Sequence, residues 1–263
     1  MQEIALYIAA GASVGFAIGL TGVGGGSLMT PLLLMFGFPA PIAIGTDLLY
    51  ASLTKASGVF SHHRRGNVEW RIAGWLAIGS LPISILLHVL MRQSGFLEQE
   101  GFAELLTKSL GIMLIVTAAV LLTGARMPGA TVQPMPSVLS ELIRCNQALS
   151  TIAMGIVLGV CVTFSSVGAG AFGAAALLVI FADTPAIKII ATDVAHAVPL
   201  TLIAGLGYLA AGYVDGLLLA SLLAGSVPAI QLGTRLSSKV PEQVLRRILT
   251  VLLFILGLNY AFS

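Results

Sequence analysis

Two long uncharged intervals constrain this chain more than any other feature of its sequence. Residues 4–46 and 145–182, which number 43 and 38, contain no Asp, Glu, Lys or Arg. A helix needs about 20 apolar residues to cross a bilayer once, so each interval is long enough to enter the membrane, turn and continue. Only 9% of the residues are charged, against roughly 25% in an average soluble domain. The composition therefore argues against a soluble enzyme, a nucleic-acid-binding protein or a disordered regulator.

A cluster of small residues interrupts each interval, at 22–26 in the first and at 165–170 in the second. The apolar stretch after the first cluster, 27–38, is roughly 18 Å long as a helix, whereas the hydrocarbon core is about 30 Å thick. An unpaired peptide group in lipid costs several kcal/mol. We therefore predict a short broken or re-entrant helix after each cluster, with the irregular backbone lining a cavity inside the protein.

The sequence predicts an all-α polytopic membrane protein with eight full spans and two short broken or re-entrant helices. Each half is predicted to contain a span, a short element and three further spans. The further spans are expected at about 41–61, 70–91, 103–123, 186–208, 216–234 and 247–262, and the first span at about 4–21. Residues 1–124 would form the first repeat, 125–146 a cytoplasmic connector and 147–263 the second repeat.

The two halves resemble each other at a constant offset. Shifting residues 46–82 by 146 positions gives 9 identities in 37, including the Thr-Asp pair at 46–47 and 192–193 and a Gly-Ser-x-Pro block. The glycine clusters align at an offset of 144. Turn residues and polar residues match together, which favours a duplication over two unrelated stretches of similar hydropathy.

Basic residues indicate how the two halves are oriented. The loop near 61–71 carries three arginines and its counterpart near 207–217 carries none, whereas a later loop near 235–247 is basic and its counterpart near 92–101 has one arginine. Cytoplasmic loops carry an excess of Lys and Arg. The reversed bias predicts repeats of inverted topology, with both termini extracytoplasmic and the central loop cytoplasmic.

Inverted repeats with paired broken helices are typical of secondary transporters. A helix that begins at a break presents unpaired N–H groups and the positive end of its dipole, so two such ends predict a central anion site. The alternative for the glycines is close helix packing through small residues. The predicted substrate-binding residues at the two breaks are Gly24, Gly25, Gly26, Ser27, Ser165, Ser166, Gly168, Ala169 and Gly170.

Asp47 and Asp193 are acidic residues that fall well inside predicted spans. A carboxylate inside a membrane is costly and suggests a function, here proton relay or orientation of the glycine loops. The alternative is that Thr46-Asp47 and Thr192-Asp193 cap helix N-termini.

Lys55 and His196 complete the set of candidate ionisable groups. Lys55 is the candidate charge partner of a bound anion, unless it pairs with Asp47 or extends to the interface. His196, three residues after Asp193, is suited to proton exchange near neutral pH, unless it only forms a hydrogen bond within the bundle. The sequence predicts no metal and no cofactor, because Cys145 and Cys161 form no ligand motif.

The chain resembles the sulfite exporter TauE/SafE family at these motifs. The resemblance rests on the segment 19–26 with Pro31-Leu32-Leu33, on 43–46 and 66–68, and on the weaker second copy at 166–170 and 191–193. It implies a permease of a bacterial-type plasma membrane for sulfite or a related anion such as thiosulfate or an organosulfonate. In the second copy Ser166 and Ala169 replace Gly22 and Gly25.

We therefore expect a secondary transporter that exports a small sulfur-containing oxyanion, foremost sulfite, by alternating access. Proton coupling is the favoured mechanism, and Na⁺ coupling stays an alternative. A passive anion channel on the same scaffold is the main alternative function, followed by a membrane-embedded enzyme. The sequence leaves the formation of a homodimer open.

Overall fold

The computed structural model describes residues 2–21, 28–95, 97, 101–123, 146–168, 170–236 and 242–262. Within these ranges the regular structure is α-helical throughout. The helices in chain order are α1 (Gln2–Thr21), α2 (Met29–Met35), α3 (Ala40–Arg64), α4 (Trp70–Gln93), α5 (Gly101–Thr123), α6 (Gln147–Ser165), α7 (Ala171–Ile180), α8 (Ala186–Ala210), α9 (Gly216–Leu236) and α10 (Glu242–Phe262).

The helix lengths agree with the predicted order of long and short elements. In the described part of the chain, α2 has 7 residues and α7 has 10, and every other helix has 19 to 25. Six helices are long and apolar enough to cross a membrane, namely α1, α4, α5, α6, α8 and α9. The polytopic, all-helical class is confirmed at this level, and the count of eight spans stays a prediction.

Equivalent residues begin and end α3 and α8. Pro39 and Pro185 stand at the N-caps, where the fixed φ of proline suits the start of a helix. Gly66 and Gly212 follow the C-caps with φ of 66° and 81°, a conformation that glycine adopts without steric cost. The offset of 146 residues that relates the two halves in sequence therefore also relates the boundaries of these helices.

Helices α4 and α6 approach each other closely through glycines. A Cβ atom on Gly79 would overlap the backbone of Ile152, and a Cβ atom on Gly155 would overlap the backbone of Leu76. Small residues allow helix axes to approach in this way. The first half thus packs one of its helices against a helix of the second half.

Helices α1 and α9 pack by equivalent contacts. A Cβ atom on Gly225 would overlap the backbone of Ile8, and one on Gly11 would overlap that of Leu222. Each of these residues corresponds to its counterpart in the α4–α6 contact at the offset of 146 or 144. The small-residue packing that the sequence offered as an alternative therefore exists, but at these helical glycines.

The structure corrects the predicted capping role of the Thr-Asp pairs. Helix α3 begins at Ala40 and α8 at Ala186, and neither has an acidic residue in its first turn. Thr46 and Thr192 therefore lie in the helix interior. The interpretation as N-caps of their own helices was wrong because the prolines start both helices two turns earlier.

Candidate functional site

The predicted break in the second half lies between α6 and α7. Helix α6 ends at Ser165, and Ser166 turns the chain in the left-handed region with φ of 57°. Gly168 and Gly170 follow with φ of 125° and 126° before α7 begins. The Ser166 N–H donates to the Val162 carbonyl over 2.8 Å, which closes the last turn of α6. The glycines are required here because side chains rarely tolerate such values of φ.

The equivalent break in the first half lies outside the described residues. The predicted site residues outside the described ranges are Gly24, Gly25, Gly26 and Ser27 in this break, and Ala169 in the break of the second half. Helix α1 ends at Thr21 and α2 begins at Met29, so a long helix is followed by a short one here as well. The role of these residues in substrate binding stays a prediction.

Asp47 joins the two halves of the protein. Its carboxylate Oδ2 accepts hydrogen bonds from the Thr30 hydroxyl on α2 and, over 3.0 Å, from the Ser166 hydroxyl at the second break. Its Oδ1 is buried and has no hydrogen-bond partner among the described residues. Asp47 therefore connects a short helix of one half to the helix break of the other.

Asp193 occupies the corresponding position against α7. The side chain is fully buried, and a Cβ atom on Gly173 would overlap its Oδ1. The N–H group of Gly170 interacts favourably with the carboxylate, but neither oxygen meets hydrogen-bond geometry with any described group. The carboxylate thus lies at the N-terminal turn of α7, where the helix dipole favours negative charge.

Lys55 interacts electrostatically with both carboxylates, more strongly with Asp193 than with Asp47. Its side chain is only 7% exposed, so it does not extend to an interface as one alternative proposed. Within the described part of the chain it forms no close ion pair with either carboxylate. The alternative of a close Asp47–Lys55 ion pair is therefore not seen, and Lys55 lies near both carboxylates. Its role as the charge partner of a bound anion stays a prediction.

His196 borders this charged cluster. Its Nε2 lies 2.7 Å from the Ser80 hydroxyl on α4, and Lys55 lies close enough to affect it electrostatically. Its Nδ1 is buried without a partner in the part of the chain that the structure describes. The candidate site therefore consists of Asp47, Lys55, Asp193 and His196 at the contact between α3 and α8.

The remaining predicted residues have local partners. The Ser165 hydroxyl donates to the Cys161 carbonyl over 2.6 Å, which occupies its proton. Thr192 Oγ1 donates to the Lys188 carbonyl over 2.6 Å and accepts from the Glu69 N–H over 2.9 Å. Thr46 Oγ1 is buried and finds no partner among the described groups. Ser165 and Thr192 therefore hold backbone in place, and the role of Ser165 in substrate binding stays a prediction.

Comparison with known proteins identifies the family. The sequence profile of the sulfite exporter TauE/SafE family matches residues 7–260. The chain belongs to this family. It is 35% identical to the probable membrane transporter protein YjnA of Bacillus subtilis over 95% of this chain and 96% of that one. It is 28% identical to the probable membrane transporter protein MJ0441 of Methanocaldococcus jannaschii over 96% and 93% of the respective chains. No solved structure matches it.

Membership of the TauE/SafE family makes the chain a multi-pass membrane transporter and not an enzyme. The resemblance inferred from the glycine pattern and the duplicated motifs is thereby confirmed. The whole candidate site falls within the matched residues.

Two hydrogen-bonded contacts beside the TauE/SafE site were not predicted from the sequence. The Tyr50 hydroxyl lies 2.5 Å from the Ser226 hydroxyl, and this pair is equivalent at offset 146 to the His196–Ser80 pair. The two serines belong to the duplicated Gly-Ser-x-Pro block, which served only as a marker of the repeat. The signal available for these contacts was that both serines lie in the repeated block. Only the packing of the helices shows which residues they contact.

The arrangement limits how this TauE/SafE protein can bind an anion. Asp193 already lies at the helix end that was predicted to attract the substrate, and two buried carboxylates share one ammonium group. Uncompensated charge in a low-dielectric interior is costly. An incoming anion therefore requires protons on the carboxylates or a redistribution of the Lys55 charge.

Proposed function

We propose that this protein exports a small sulfur-containing oxyanion, with sulfite as the first candidate, by alternating access. The observation that carries the proposal is the buried cluster of Asp47, Lys55 and Asp193, which lies where the two short helices of a TauE/SafE transporter meet the long helices of the core. Intramembrane ionisable groups mark substrate and proton pathways. The substrate class is that of the family name.

We further propose eight spans arranged as two inverted repeats. The equivalent glycine contacts of α1 with α9 and α4 with α6 support this arrangement, as do the matched boundaries of α3 and α8. The reversed charge bias of the loops supports opposite orientations in the membrane. Alternating access would then be a movement of one set of helices against the other around the central cluster.

Proton coupling follows from the charge balance of the cluster. Two carboxylates and one ammonium group leave one negative charge in excess when all three are ionised. Protonation of one carboxylate neutralises the cluster and frees Lys55 to face the substrate. Proton and anion would therefore occupy the site together and leave it together on the same side of the membrane.

The test is sulfite flux in lipid vesicles that contain the purified protein. We expect efflux from sulfite-loaded vesicles to be driven uphill by an imposed pH gradient, and sulfate and phosphate in excess to compete weakly. Sulfite flux that never exceeds the equilibrium distribution would indicate a passive channel. Flux that ignores the pH gradient would contradict proton coupling.

Lys55→Met tests the assigned site within the same assay. The substitution keeps an unbranched side chain of similar length and removes the charge, so we expect sulfite flux and sulfite binding to be lost. Lys108→Met, at a residue whose only described charge partner is Glu104 on the same helix, serves as the matched control. Equal sulfite affinity in both variants would remove Lys55 from the site.

A further inference from the structure

A file of polar side chains runs along one face of α4 away from the candidate site. Ser80, Ser84 and His88 are spaced four residues apart, so they lie above one another on the same face. Eight residues of helix correspond to about 12 Å. Both serines are fully buried, within a helix that is otherwise mostly apolar. A buried polar row of this kind requires partners, and the neighbouring helices supply them.

The inner end of the file reaches the charged cluster. Ser80 Oγ lies 2.7 Å from His196 Nε2. His196 follows Asp193 by three residues on α8, which places both on one face of that helix. The His196 Nδ1 and both oxygens of Asp193 are buried and without hydrogen bonds among the described residues. These three polar atoms can therefore bind a proton or a water molecule at the inner end of the file.

The middle of the file is held by α6 and α8. The Thr163 hydroxyl on α6 donates to the Ser84 hydroxyl over 2.9 Å. The Tyr208 hydroxyl on α8 donates to the Thr163 carbonyl over 3.0 Å. A serine hydroxyl both donates and accepts, so Ser84 can pass one proton on while it receives another.

The outer end of the file is His88, five residues before the end of α4. Its ring packs edge-on against Tyr208, with centroids 5.2 Å apart, and fills the space that Gly207 leaves without a side chain. His88 Nδ1 lies 2.9 Å from the Ser84 carbonyl. A carbonyl only accepts, so Nδ1 carries the proton of the neutral ring. The buried Nε2, which has no partner among the described groups, is therefore a free base.

The equivalent helix of the other half does not continue such a file. Ser226 of α9 corresponds to Ser80, but Ile230 stands where α4 has Ser84, and Tyr50 stands where α8 has His196. Among the described side chains, the fold is therefore repeated on both sides of the cluster, whereas the buried serine that follows Ser80 on α4 is replaced by an apolar residue on α9. Helix packing alone does not require this serine, because α9 packs against α1 without it.

We propose that Ser80, Ser84 and His88 form the path by which protons travel between the extracytoplasmic side and Asp193. The proposal rests on the proposed function, and it deepens it by giving the proton a route. With the basic loop between α3 and α4 in the cytoplasm, as proposed above, His88 lies towards the opposite face. The groups that face the path from neighbouring helices are Thr163, Tyr208 and, at its inner end, Lys55.

The proton balance of one passage is simple. The Asp193 carboxyl gives up one proton at the inner end, and His88 Nε2 gains one from the file and passes it to extracytoplasmic water. Nδ1 keeps its proton throughout, and because Nε2 is buried, water must first enter beside Gly207. Each hydroxyl between them gives up one proton and regains one, so it is unchanged. Successive side chains on the face lie about 5–6 Å apart at Cβ, a gap that one water molecule bridges. Asp193 is protonated again from the cytoplasmic side, together with the binding of the next anion.

The experiment compares two sulfite assays on the same reconstituted protein. Uphill efflux driven by a pH gradient requires proton movement, whereas counterflow of labelled sulfite at equal pH on both sides requires only the substrate site. We expect Ser84→Ala and His88→Gln to slow the driven efflux at least about tenfold, equivalent to about 1.4 kcal/mol of barrier. Counterflow in the same preparations should stay close to the wild-type rate, which also shows that the variants fold.

Ser221→Ala is the matched control, since it removes a buried hydroxyl of α9 that donates to the Leu217 carbonyl of the same helix over 2.7 Å and lies outside the site and the file. It should leave both assays near the wild-type rate. Driven efflux that is unchanged in Ser84→Ala and His88→Gln overturns the path, and so does an equal loss in both assays. Wild-type counterflow without any response to a pH gradient overturns the path while sulfite transport stands. Absence of wild-type counterflow overturns the proposed substrate, and the path with it.

Discussion

The buried ionisable residues show how far single positions can be interpreted from sequence. Ionisable groups inside a membrane are costly and mark functional sites, which singled out Asp47, Lys55, Asp193 and His196 in the sequence. The structure brings all four together. The fit of Asp193 against Gly173 was not predictable. It depends on the distance between α7 and α8, and no spacing along the chain encodes that distance.

Gly173 and Asp193 should be energetically coupled. A Cβ atom on Gly173 would overlap the carboxylate, and overpacking of a well-packed site costs about 1–3 kcal/mol. We expect Gly173→Ala to lower the thermal stability in detergent clearly in the wild-type protein. In an Asp193→Ala background the same change should have almost no effect, because the atom that it meets is gone.

This double-mutant cycle isolates the contact between the two side chains. Interaction energies of contacting residues are about 0.5–3 kcal/mol. Additive effects of Gly173→Ala and Asp193→Ala on the unfolding temperature would mean that the two groups do not touch.

Ser166 has a strained backbone and a hydroxyl that donates a hydrogen bond. Its φ is 57°, a conformation that costs a residue with a side chain roughly 1–2 kcal/mol, whereas its Oγ donates to Asp47. Ser166→Ala loses the hydrogen bond and keeps the strain, whereas Ser166→Gly loses the hydrogen bond and relieves the strain. We expect the glycine variant to be the more stable of the two in thermal unfolding. Greater stability of the alanine variant would contradict the left-handed conformation.

At the scale of elements, the positions of the helices follow from the sequence more closely than their pairing. Uncharged length and small-residue clusters predicted two short helices and eight long ones, and the boundaries agree to within a few residues for most of them. Which helix packs on which could not be predicted. The contacts of α1 with α9 and α4 with α6 depend on glycine faces that become visible only when the helices are placed side by side.

Gly79 and Gly74 of α4 allow the packing between helices to be tested on one helix. A Cβ atom on Gly79 would overlap α6, whereas one on Gly74 meets nothing. Gly74→Ala should raise the stability by up to about 1 kcal/mol, the helix propensity difference. Gly79→Ala should lower it, because α4 and α6 must separate. Equal shifts of the unfolding temperature in the two variants would exclude close packing at Gly79.

The ion pair between Lys188 and Glu69 also joins two elements of the fold. It joins the first turn of α8 to the residue before α4 over 2.6 Å, with side chains 37% and 38% exposed. Half-exposed pairs contribute about 0–1 kcal/mol, so its energy is small beside the glycine contacts. The equivalent position of Lys188 in the first half is Ile42, an uncharged residue, which means that this bridge has no counterpart there.

For the whole molecule, the proposed inversion of the repeats has a direct topological test. Arg65 and Ala211 are equivalent residues at the C-caps of α3 and α8. In a background without native cysteines, Arg65→Cys should react with an impermeant maleimide only after the cells are opened. Ala211→Cys should react in intact cells, since inverted repeats place equivalent loops on opposite sides. Labelling of both from the same side would indicate parallel repeats.

The packing of helices of one half against helices of the other also has a consequence for biosynthesis. Helix α1 is made well before its main partner α9, and α4 of the first half is made before its partner α6 of the second. The first half therefore leaves the ribosome with two apolar, glycine-lined faces that it cannot cover by itself. Tertiary assembly must wait for the second half to be inserted, and until then the nascent chain depends on lipid or on the insertion machinery to shield those faces.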